Sequence, residues 1–117
     1  MYEVNRSAFL LIPQEPFLHW LHSVGVRDVT LEDLQADANA YLTDPCDHVD
    51  DVWDIIEHRT AEIFAAELAD WCEDESLWPD LHPDIFAEWF DIRPASLVTD
   101  LSAEPLARES FVPFETH

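Results

Sequence analysis

Lysine is absent from this chain, glycine occurs once and cysteine twice, and five Arg are its whole stock of strong base. Each shortage removes a class of function. With 26 Asp and Glu against those five Arg, the net charge is −21. Such a surface repels nucleic acid and anionic lipid, so neither is expected as a direct partner. A single glycine leaves no room for a Gly-rich phosphate loop, which removes the nucleotide-binding motifs. Cys46 and Cys72 match no zinc or redox spacing, and two free thiols fit a reducing compartment. The segment MYEVNRSAFLLIP has one Arg and a short apolar run, unlike a signal peptide. No run approaches the 18 or so apolar residues of a membrane span. The expected location is the cytoplasm.

What the chain has in quantity is acid and aromatic side chains. Hydrophobic residues make up 48% of its 117 positions, with five Trp and seven Phe, a composition that builds a core and does not read as disorder. The length suits one domain, and a chain of this size folds without a metal or a disulfide. Ser7–Ile12 reads as a first strand buried on both faces, stopped by Pro13. Pro16 opens a helix through Val24, and Gly25 follows where a left-handed helix end belongs. Thr30 caps a short helix with Asp33 as capping-box partner, Asn39–Thr43 is a second strand, and Pro83 starts a helix over PDIFAEWFDI. Ser96–Leu101 is the third strand. The sum is an α+β domain over residues 1–101, a small three-stranded sheet with about four helices, and an extended tail over 102–117.

The segment the rest is arranged around is residues 47–72, DHVDDVWDIIEHRTAEIFAAELADWC. Val49, Val52, Trp53, Ile56, Thr60, Ile63, Phe64 and Trp71 recur at helical spacing, which predicts one long amphipathic helix of about 39 Å. Between Asp44 and Asp91 sixteen acids meet a single strong base, Arg59. Like-charged pairs four residues apart cost a few tenths of a kcal/mol each, and burial of the apolar stripe at about 1.5–3 kcal/mol per large side chain outweighs them. If that helix is continuous, Cys46 and Cys72 lie too far apart to be joined.

The segments PFLHWL, TLEDLQADANAYL, DESLWPD and FAEWFDI, followed by SLVTDL, resemble a family of small, strongly acidic, uncharacterised bacterial proteins. The likeness runs from about Phe9 to Leu101. It implies that acidity belongs to the family, and it implies no activity and no site residues.

Several constellations invite a sharper reading than they support. His19 and His22 stand one turn apart and would need a third ligand to hold a metal; flanking an apolar face, they fit its edge better. Asp54, Glu57 and His58 lack the second Glu-x-x-His helix of a two-metal centre. Asp44, Asp47, Asp50 and Asp51 lack the glycine of a calcium loop. Cys46, Cys72 and Ser76 have no base at a recognisable spacing, and a negative setting raises a thiol's pKa. No enzyme and no cofactor is expected.

The expected function is therefore protein binding. Asp50, Asp51, Asp54, Glu57, Glu67, Asp70, Glu73, Asp74 and Glu75 would steer a basic partner, with Trp78 as the anchor. One version is a nucleic-acid mimic, a line of carboxylates imitating phosphates along a rigid helix. The alternatives are a metal-binding protein using His19 and His22 with carboxylates, and acidity that serves only solubility or salt adaptation while a Trp-rich surface near Trp78 and Trp89 mediates dimerisation. The chain would be a monomer or a homodimer.

Overall fold

Two strands precede the first helix in the computed structural model, which describes residues 1–113: β1 (Tyr2–Val4) and β2 (Ser7–Pro13). β2 is the spine. It pairs antiparallel with β3 (Asn39–Thr43) on one side and β4 (Phe90–Ala95) on the other, giving the order β3-β2-β4. Its side chains alternate: Ser7, Phe9, Leu11 and Pro13 are buried, while Leu10 on the other face is 37% exposed. The sheet thus packs on one face and is partly open on the other, as antiparallel sheets commonly are. β5 (Val98–Asp100) pairs with β1 in a separate two-stranded ladder.

Five helices bury their apolar sides in the cluster that includes Phe9 and Leu11. They are α1 (Glu15–Ser23), α2 (Leu31–Ala36), α3 (Val49–His58), α4 (Thr60–Ala69) and α5 (Pro83–Trp89). Phe17 of α1, Phe64 of α4, Phe86 of α5 and Phe90 of β4 meet with ring centroids 4.9–5.8 Å apart. All four are essentially inaccessible, and each contributes about 1.5–3 kcal/mol of burial. Gly25 takes φ 98° just beyond α1, the backbone conformation that a side chain resists. Thr30 and Asp33 exchange side-chain and backbone hydrogen bonds, both 3.1 Å, in the expected capping box.

The α+β class stands, but the long helix does not. Residues 47–72 form two helices that break at Arg59, whose backbone leaves the helical region at φ −125°, ψ 21°. The cause is local. Thr60 is buried, and its hydroxyl donates to the Ile56 carbonyl at 2.7 Å, a bond that competes with the backbone ladder and bends helices. Each half is ten residues, about 15 Å, so no single rod spans the molecule. The third strand of the main sheet is also not Ser96–Leu101. It is Phe90–Ala95, whose first three residues are read above as the end of a helix. Pro94 is tolerated there because β4 is an edge strand, whose outer side needs no donor. Beyond β5, residues 101–113 form no helix or strand; Phe111 is 74% exposed, and Phe114 lies outside the described residues. No helix among the described residues is long and apolar enough to cross a membrane.

Candidate functional site

The acids assigned to a partner surface divide into two groups. Asp50, Asp51, Asp54 and Glu57 are exposed on α3, and Asp70, Glu73, Asp74 and Glu75 are exposed after α4. Some also serve their own backbone. Asp51 accepts from the His48 amide at 3.3 Å, and Asp74 accepts from the amide and hydroxyl of Ser76 at 3.1 and 2.6 Å. None of these eight takes part in an ion pair among the described residues. Among the described residues the pairs are Arg59–Glu62 at 2.9 Å, His19–Glu15 at 3.9 Å and His82–Asp84 at 3.7 Å. The Arg59 guanidinium grips Glu62 through two nitrogens and holds that carboxyl below its ordinary range. It is thereby engaged one turn away and leaves the α3 acids without a strong base.

Glu67 is not on that face. Only 6% of it is exposed, a correction to its place in the partner surface. The reason lies in the helix itself: Glu67 follows Ile63 by four residues and Phe64 by three, both buried, so the apolar stripe carries it inward. Its Oε2 accepts from the Asn39 amide nitrogen and from the Tyr41 hydroxyl, both at 2.7 Å. Its Oε1 has no donor, yet it is not sealed from solvent, since the His22 Nε2 is the one buried, unpartnered side-chain polar atom among the described residues. Burial raises the Glu67 carboxyl above its ordinary value, and the two hydrogen bonds only partly offset this. Burial also raises the Tyr41 phenol, with Glu67 adding to the effect.

Glu67 lines a cavity of about 360 Å³ that opens beside α2 and the end of α4. Its walls are apolar at Phe17, Val29, Leu34 and Trp71 and acidic at Asp33, Asp37 and Asp70. Among the described residues no Arg or His lines it. Trp71, placed on the apolar stripe by periodicity, is 41% exposed here because it stands at this cavity and not under another element. Nothing in the sequence marked the cavity as such, although the Glu67 spacing marked its floor.

Trp78 is half-buried and pinned, its indole N–H donating to the Cys72 carbonyl at 2.8 Å. It fastens the loop to the body and is not a free anchor. Trp89 packs against Phe64 and Trp20 and, like Trp78, is only partly buried. His19 and His22 diverge: His19 points outward to Glu15, and His22 turns inward. Among the described residues no three His, Cys, Asp or Glu come together as a metal would require, so the structure does not bring His19 and His22 a third ligand. Cys46 is buried with its thiol toward the Asp44 carbonyl at 3.3 Å, and Cys72 is also free. No family model, curated protein or solved structure matches the chain.

Proposed function

We propose that this chain is a binding module for a basic protein. The observation that supports the reading most directly is the set of exposed carboxylates without counter-ions: Asp50, Asp54 and Glu57 on α3, and Asp70, Glu73 and Glu75 beyond α4. Carboxylates left unpaired in water cost the fold little and remain free to steer a cationic surface. Asp51 adds charge to the first group and Asp74 to the second while capping their own turns. The stricter version, mimicry of a line of phosphates, needed a straight scaffold. The break at Arg59 removes that scaffold, and the version is not carried forward. No catalysis is part of this reading.

The test is affinity capture from a cell lysate at about 0.05 M and about 0.5 M salt, where screening differs severalfold. The bait is the wild-type chain and a triple variant, Asp50→Asn, Asp54→Asn and Glu57→Gln. Captured proteins should be enriched in cationic surfaces, be shed at high salt, and fall away from the triple variant. A capture list with no such enrichment removes the proposal.

A further inference from the structure

The cavity at Glu67 is a site of different character from the open acidic surface, and its reading does not depend on a basic protein partner. An ionisable carboxyl placed on the apolar stripe of a helix is costly to bury, so its presence needs a reason. Holding Asn39 and Tyr41 is not one, because the carbonyl of a glutamine would accept both bonds. What only the carboxylate supplies is negative charge at the cavity floor, with Oε1 left unpartnered.

We propose that this cavity binds an aliphatic ammonium or guanidinium group, with Glu67 meeting the cation and Asp33, Asp37 and Asp70 surrounding it. Three observations point the same way. First, four carboxyl groups line one concavity that no basic side chain among the described residues lines, and low-dielectric walls concentrate their field on whatever enters. Second, these carboxyls do not converge as metal ligands do, which suits a cation with several N–H groups spread over an ångström scale better than a bare ion. Third, Phe17, Val29 and Leu34 match a hydrocarbon stem, and Trp71 adds an aromatic ring, which can attract a cation, to the lining. The volume of about 360 Å³ is within the range of small-ligand pockets. The same chemistry comes either as a free diamine or as the end of a Lys or Arg side chain.

Calorimetric titration separates these outcomes. The probes are 1,4-diaminobutane, Nα-acetyl-lysine amide, Nα-acetyl-arginine amide and magnesium chloride, at matched ionic strength. They are titrated into the full chain, Glu67→Gln and the control Asp54→Asn. Saturable one-to-one binding of an organic cation is expected. It should weaken roughly tenfold or more in Glu67→Gln, the usual worth of a charge-assisted hydrogen bond, and be unchanged in Asp54→Asn. A tighter diamine identifies a free amine as the ligand; tighter capped amino acids identify a side chain. The proposal is overturned by the absence of saturable binding, by equal binding in Glu67→Gln, or by magnesium competing as well as the amines. Should Glu67→Gln not fold, the exposed Asp70→Asn takes its place, with weakened amine binding as support and unchanged binding as refutation. Since Asp54 belongs to the open surface alone, failure here leaves the lysate experiment standing, and the converse also holds.

Discussion

At the scale of single residues, Glu67 carries the most information because its environment and its chemistry conflict. Desolvation raises its pKa above the ordinary 4.5, more than the hydrogen bonds from Tyr41 and Asn39 lower it, and Asp70 adds a further rise. A carboxyl with a raised pKa in the folded state favours folding in its protonated form. Its contribution is therefore complete below about pH 4.5 and is lost as pH climbs through the folded value. Glu67→Gln keeps an acceptor for Tyr41 and Asn39 and removes the titration. Urea unfolding of both proteins from pH 4 to 8 should show the variant gaining on the wild type as pH rises, with the gap closing toward pH 4.5. A gap that is constant with pH, or that widens in acid, contradicts the burial of an ionising group. This residue could have been found in the sequence, since the spacing that assigns Ile63 and Trp71 to the apolar stripe assigns Glu67 to it too. Residue type suggested the acidic face, but position along the helix decides.

At the scale of elements, the segments read correctly are those whose signals are local. Asn39–Thr43 and the Ser7–Ile12 run are strands because a short run bounded by turn residues or a proline acts within a few residues, although the second face of Ser7–Ile12, expected to be buried, is partly open. The Thr30 box and the Gly25 turn are equally local. What the pattern missed depends on partners. The apolar period runs through Arg59 without interruption, so only the Thr60 hydroxyl, a β-branched and buried bend-former, marks the joint. Phe90–Ala95 continues the helical pattern of α5, yet pairing with β2 takes it into the sheet, and an edge position accommodates Pro94. The loop between α4 and α5 shows the same dependence. It contains one 3-10 turn, Glu75–Leu77, and is held by two indole N–H groups: Trp20 on the Leu77 carbonyl and Trp78 on the Cys72 carbonyl, both 2.8 Å. Trp78→Phe keeps much of the ring and loses the donor. It should cost about 1–2 kcal/mol in urea unfolding and speed hydrogen exchange across residues 73–82. Unchanged exchange in that loop would mean that packing alone holds it.

At the scale of the molecule, the dominant quantity is the net charge of −21. The fold does little to neutralise it. Arg59–Glu62 is the one Arg–carboxylate pair among the described residues, and both side chains are more than half exposed, so it contributes little. The native state therefore holds many like charges closer together than the unfolded chain does, and self-repulsion opposes compaction. The core of α1, α4, α5 and β4 aromatics overcomes that repulsion without removing it. Screening should then act on the folded state most. Stability in urea should rise by on the order of 1 kcal/mol or more between about 0.01 and 0.5 M sodium chloride, as the Debye length falls from about 30 Å to a few ångströms. Most of the gain should come at the low end, where spacing between acids and screening length are comparable. Guanidinium chloride would hide the effect because it is itself a salt, so the measurement belongs in urea. A midpoint that is flat in salt would show the carboxylates already compensated, and with that the unpaired acidic surface would lose its claim to be waiting for a cation.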